Sequence, residues 1–224
     1  MIAVAGGKGG SGKTTTTLGL ARALSRRGAP VVAADADWNL PNLARLASAT
    51  DESREPAANA LTVTDAVRTP EAIRPARRAP TVLSAPEEPG SVDAERVLGA
   101  LAEAVPDDTP ALLDCPAGAS PDAAAPLRVA DRCLLVTPLR RAALRDAAKT
   151  AALARRLGCP PVGAVVARGE SAPAGVSDLL GCPVLGRVPQ AQPRPLSDSS
   201  VRAAYDDLAR RLVAEHGADR WRVA

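Results

Sequence analysis

The sequence predicts an α/β fold: a doubly wound, mostly parallel sheet of about seven strands with helices on both faces. Three observations carry that expectation. Seven short apolar runs alternate with amphipathic stretches of helical period, the pattern of strand–helix–strand units. The first run, "IAVA" (2–5), passes through a glycine-rich turn straight into a helical pattern. The composition is 46% hydrophobic but 1% aromatic, with no Phe. The core is therefore built from Ala, Val and Leu, whose small side chains suit helices packed closely on a sheet. At 224 residues the chain, 1–224, is read as a single domain with one buried core.

Strands are expected, in order, at "IAVA" (2–5), "PVVAAD" (30–35), "TVLSA" (81–85), "ALLD" (111–114), "CLLVTP" (133–138), "VGAVVA" (162–167) and "PVLGRV" (183–188). Runs this short and this continuously apolar suit strands covered on both faces. Helices are expected from Thr14 to Arg27, closed by Gly28, and over 92–105, 141–157 and 199–216. The segment from Ala47 to Pro80 is rich in Pro, Arg, Glu and Ala, and only "LTVTDAVR" (61–68) within it has a helical pattern. It is read as an excursion from one domain.

Net charge is +3, too slight to name a partner. The opening "MIAVA" is too short for a signal peptide, and no run approaches the roughly 18 apolar residues that cross a bilayer. A soluble, cytoplasmic protein is expected. Cys115, Cys133, Cys159 and Cys182 form no C-x-x-C pair. Buried free thiols are the plain reading, and an iron–sulfur or zinc site assembled across a dimer is the sharper one. His216, the single histidine, reads as a solvated group near a helix end.

"GKGGSGKT" (7–14) fits G-x-x-x-x-G-K-[ST] between a strand and a helix, the context of a phosphate loop. Gly9, Gly10 and Gly12 let backbone N–H groups turn towards phosphate oxygens, and the helix N-terminus adds a favourable field. Lys13 can reach the β- and γ-phosphates, and the Thr14 hydroxyl can bind Mg²⁺. The nucleotide contacts are accordingly placed at Gly7, Lys8, Gly9, Gly10, Ser11, Gly12, Lys13, Thr14 and Thr15. The chain uses Arg for nearly all its positive charge, and its only lysines are Lys8, Lys13 and Lys149. Two of them in one loop each need a reason.

Lys8, just after the first glycine, makes the loop resemble the deviant Walker A motif K-G-G-x-G-K-T-T of the MinD/ParA family of P-loop ATPases. "DADWNLPNL" (35–43) resembles the family's first switch, and "LLDCPAG" (112–118) its Walker B strand and second switch. "VGAVVAR", "PVLGRVP" and "LSDSSVRAAYDDLARRL" resemble its closing strands and last helix, so the resemblance covers nearly the whole chain. It implies a P-loop NTPase fold, ATP and Mg²⁺ as cofactors, slow ATP hydrolysis and an ATP-dependent homodimer. It further implies that Lys8 crosses to the partner's phosphates, as an arginine finger does. Asp37 would orient the attacking water, and Asp35 and Asp114 would hold Mg²⁺ through its waters with Thr14. Gly118 would sense the γ-phosphate, and Asn42 is the switch asparagine.

Ser11 stands where the family has a Val-like residue, and Trp38 is a bulky residue at a varied position. Ala167 replaces the asparagine that contacts adenine in many members, which moves base recognition to Pro189 and Gln190. The ending "EHGADRWRVA" offers no evident membrane anchor. Three functions stay open: a switch that positions a cargo with an unidentified activator, a ParA-like ATPase whose ATP dimer binds DNA, and a metal- or cofactor-assembly ATPase. For DNA, Arg140, Arg141, Arg145, Lys149, Arg155 and Arg156 lie on or beside one helix, but their offsets are read as spreading them around it, favouring a solvated face.

Overall fold

The computed structural model describes residues 1–50, 61–73, 79–169 and 171–216, the last residue in its backbone only. The expected tail without an anchor and the expected solvated His216 side chain lie outside these residues. Seven strands form one sheet: β1 (Ile2–Ala5), β2 (Val32–Asp35), β3 (Thr81–Leu83), β4 (Ala111–Asp114), β5 (Arg132–Thr137), β6 (Pro161–Ala167) and β7 (Val184–Val188). Their order is β3-β2-β4-β1-β5-β6-β7, and every ladder is parallel. All seven expected strands are present.

Successive strand residues alternate between two apolar layers, as the two-residue period of a strand requires. Ile2 and Val4 join one cluster while Ala3 and Ala5 join the other. The first cluster packs under α1 (Lys13–Arg26), α2 (Leu43–Ala49) and α8 (Ser199–His216). The second packs under α3 (Val63–Arg68), α4 (Ala94–Ala104), α5 (Pro121–Val129), α6 (Arg141–Arg156) and α7 (Gly175–Leu180). Helices thus cover both faces. On the first face α1 and α8 come so close that a Cβ on Gly19 would lie 2.3 Å from the ring of the buried Tyr205.

The sequence did not single out α2, α5 and α7. Helix α5 carries Pro121 in its first turn and Pro126 inside, which costs one rung of its hydrogen-bond ladder. Helices α2 and α7 have seven and six residues, too few to display a helical period. The helix within 47–80 appears as α3, opened by a capping box between Thr62 and Asp65.

Strand β1 lies between β4 and β5, so the segments leaving β1 and β4 converge at one edge of the sheet. Between β2 and β4 the register sets Asp35 beside Asp114 at the ends of the two strands. This is where an open parallel sheet collects a ligand.

Candidate nucleotide site

The loop leaving β1 turns into α1 at Gly12, whose φ of 100° lies in the left-handed region that glycine takes freely. No side chain caps α1 and no acidic residue stands in its first turn. By contrast, α4 and α5 are capped by Asp93 and Ser120. Helix α1 therefore begins with uncompensated N–H groups and the positive end of its dipole, the arrangement that receives an anion. A cavity of about 490 Å³ opens there, lined by Gly10, Gly12, Lys13, Thr14, Thr15, Asn42, Arg45, Leu46, Ala49 and Arg168.

Lys13 is 7% exposed. Beside it Asp114, 1% exposed, is pushed up to about 7 by burial, an effect that the Thr14 and Thr17 hydroxyls and the Lys13 charge partly offset. The Thr17 hydroxyl donates to Asp114 Oδ1 at 3.3 Å. Asp35, also buried, is pushed up to about 6 by desolvation. It accepts the N–H of Asp37 on Oδ1 and those of Asn42 and Leu43 on Oδ2, all at 3.0 Å. Three of roughly four acceptor positions are thereby given to the segment leading into α2, so Asp35 shapes the loop between β2 and α2.

Buried carboxylates beside a threonine hydroxyl and an anion-receiving helix end form a hard-oxygen donor set, and that fits Mg²⁺ held by one or two carboxylates and phosphates. Among the described residues no three His, Cys, Asp or Glu side chains gather as a metal cluster. All four cysteines are buried free thiols of one apolar layer. The Cys133 thiol is pushed well up by its hydrogen bond with Cys159 and by burial.

The remaining expected residues fall into two groups. Asp37 is half-buried and accepts the Leu40 N–H at 3.3 Å. Trp38 is buried and donates its indole N–H to the Asp35 carbonyl at 2.9 Å. Asn39 donates to Asp122 Oδ2 at 2.9 Å, joining this segment to the first turn of α5. Asn42 reaches the cavity wall, its Oδ1 accepting from Arg45 at 2.8 Å. The Gly118 N–H donates to the Gly6 carbonyl at 3.2 Å, which ties the segment after β4 to the root of the loop. Ser11 is buried, and its hydroxyl has no hydrogen-bond partner among the described residues.

Pro189 lines another cavity, of about 460 Å³, with Arg187, Ser200, Asp207 and Arg211, and Gln190 lines neither. The structure does not bring these two residues to the loop's cavity. Two residues there escaped the sequence reading. Arg45 stands in the first turn of α2, and Arg168 donates Nη2 to the Gly10 carbonyl at 2.7 Å.

Lys8 points outward: its side chain is 56% exposed and meets Asp146 of α6 at 3.6 Å. Gly7 rests on the backbone of the same helix. Lys149 also meets Asp146, at 3.5 Å. The cations of α6 are less scattered than their offsets suggested. Arg141, Arg145, Lys149 and Arg156 are exposed and fall within an arc of about 80° at 100° per residue. Arg155 instead donates to the Leu180 and Gly181 carbonyls.

A parallel sheet with a glycine loop, an uncapped helix end and buried strand-end carboxylates defines the class of phosphate-loop nucleotide-binding proteins. The chain belongs to a particular family within it: the CobQ/CobB/MinD/ParA nucleotide binding domain matches residues 2–193. An uncharacterized ATP-binding protein of Methanocaldococcus jannaschii is 33% identical over 173 residues, covering 75% of this chain and 64% of that protein. The septum site-determining protein MinD of Synechocystis is 31% identical over 151 residues, covering 66% of this chain and 56% of the relative. The chain thus spans less than two thirds of the length of these curated relatives. The solved structure of the septum site-determining protein MinD of Pyrococcus horikoshii, complexed with Mg-ADP, superposes with a TM-score of 0.79 at 25% identity over 96% of each chain. Among the described residues no helix is long and apolar enough to cross a membrane.

Proposed function

We propose that this chain is an Mg²⁺-dependent ATPase that pairs face to face with a second copy when ATP binds and positions a cargo through that switch. One observation carries the reading. The same loop holds one lysine buried against Asp114 and Thr14 at an uncapped helix end and a second lysine exposed on the surface.

The N–H groups of residues 9–15 and the Lys13 ammonium hold the polyphosphate, and Lys8 leaves Asp146 to meet the partner's phosphates. Thr14 would hold Mg²⁺, with Asp114 and the remaining acceptor of Asp35 reaching it through its waters, and the ion would supply positive charge against the phosphates. The Asp37 carboxylate accepts a hydrogen bond from the lytic water and holds it in line. Lys8 then supplies positive charge where it builds up in the transition state. The Gly118 N–H leaves Gly6 to meet the γ-phosphate, and the helix behind it moves with the nucleotide state.

The test is Asp37→Ala with ATP and Mg²⁺, measuring particle mass and phosphate release together. The expected result is a persistent dimer with little phosphate. Undiminished turnover would move the water-holding role elsewhere, and a monomer that hydrolyses normally would remove the pairing.

A second reading, ATP-controlled DNA binding, is favoured by the cationic face of α6. It predicts retention on DNA that requires ATP and weakens steeply with salt.

A further inference from the structure

Arg168 is the one non-glycine residue with positive φ (57°) among the described residues. For a residue with a Cβ the left-handed region is strained, and it persists where the surroundings hold it. Its exposed side chain makes a contact 158 residues away, the 2.7 Å bond from Nη2 to the Gly10 carbonyl. On one side Ala167 packs under the loop, its Cβ 3.5 Å from where a side chain on Gly12 would begin. On the other, Gly169 is tied to β7 by its N–H to the Val188 carbonyl at 3.1 Å. The left-handed turn between these anchors carries the guanidinium to Gly10.

The outer turn of the loop has little else to hold it. Gly9 and Gly10 have nothing within 4 Å of where a side chain would begin, and Gly10 is itself left-handed at φ 72°. A loose glycine turn gives up its conformational entropy when the ligand arrives, whereas a fastened one has given it up on folding.

We infer that Arg168 is a positioning residue of the phosphate site: it fastens the Gly9–Gly10 turn to the end of β6 and so sets affinity for the polyphosphate chain, independently of the base. The inference rests on the reading of the loop as a polyphosphate site. A different role for an arginine on this wall, direct contact with base or ribose, has different consequences.

The experiment compares wild type, Arg168→Gly and Arg168→Lys for binding of Mg·ATP and of Mg·tripolyphosphate, which has no base, together with ATP turnover and melting temperature. Arg168→Gly should weaken both ligands by the same factor, about tenfold. Turnover at saturating ATP should stay within about twofold, a change in KM and not in kcat. Its melting temperature should hold or rise, because glycine takes positive φ without cost. Arg168→Lys keeps a donor and should recover part of the affinity. Weakened ATP with unchanged tripolyphosphate would overturn the inference in favour of a base contact. Unchanged affinity for both ligands would overturn it outright, and affinity falling together with melting temperature would reduce Arg168 to a structural role. If the wild type binds neither ligand, the phosphate-loop reading itself has failed and this inference falls with it.

Discussion

Lys13 and Lys8 belong to one loop and occupy opposite surroundings. The inner half, residues 11–17, is completed by the chain itself: Lys13 is 7% exposed, and Asp114 lies among Thr14, Thr17 and Lys13. The outer half, residues 7–10, is held from outside, by Gly7 against α6, by Asp146 and by Arg168, and its lysine is exposed. A buried cation needs its ligand or its carboxylate in place. A surface cation 3.6 Å from one carboxylate can leave it at little cost. Under the proposed function the inner half is a binding site within one chain, and the outer half presents its charge where a second copy can reach.

The sharpest way to break this contrast is to replace each lysine in turn. Lys13→Ala should weaken ATP binding by about a thousandfold or more. Lys8→Ala should bind within about threefold of wild type, because its charge is solvated in the single chain, yet fail to dimerise or hydrolyse. Titration calorimetry with ATP and Mg²⁺, read beside particle mass, measures both. Equal losses at the two positions would erase the distinction.

Acidity probes the inner half alone. Asp35 and Asp114 titrate at about 6 and about 7 in the fold, against 3.8 ordinarily. Between those values the native state holds protons that the unfolded chain has released, so stability falls as pH rises from about 4 to about 7. Each group contributes on the order of 3 kcal/mol to that fall. Asp65 and Asp198, held low by the hydroxyls of Thr62 and Ser200, act in the opposite sense and only below about pH 4. Melting the nucleotide-free protein at pH 4.5 and 7.5 should show the drop, and Asp114→Asn should remove much of it. A flat profile would mean that these carboxylates are not desolvated.

The smallest expected effect belongs to the outer half. A Cβ on Gly7 would lie 2.3 Å from the Asp146 carbonyl carbon and 2.7 Å from the Ala147 nitrogen, backbone atoms of a helix that cannot yield. Gly7→Ala should cost about 1–3 kcal/mol in a denaturation experiment. Gly9→Ala meets nothing within 4 Å and should be close to neutral. Similar costs at both would show that α6 does not hold the loop.

The sheet was legible because a strand covered on both faces is written as a continuous apolar run. The loop was legible because its glycines and lysine are neighbours in sequence. What escaped was non-local or too short. Nothing in "VVAR" reveals that Arg168 reaches Gly10, since that bond depends on how β6 ends beside β1's loop. The three backbone partners of Asp35 come from a turn whose path the sequence does not specify. The α6 cations looked scattered as a list of offsets, but steps of four, four and seven residues return to one side of a helix. Helix α5 was hidden by the proline within it.

The scarcity of aromatic residues has an optical consequence. The chain has two Trp, one Tyr and no Phe. Trp38 lies in the apolar layer beneath α3 to α7, bonded to the carbonyl of Asp35, and Tyr205 lies in the opposite layer, 3.4 Å from the Thr16 hydroxyl of α1. Each side of the sheet therefore carries its own chromophore within one or two bonds of the loop or the switch. Replacing Trp221 leaves the emission of a single indole at the switch and the absorbance of a single phenol at the seam of α1 and α8. Nucleotide-driven changes on the two sides of the sheet can then be timed separately, in one cuvette and with no label attached.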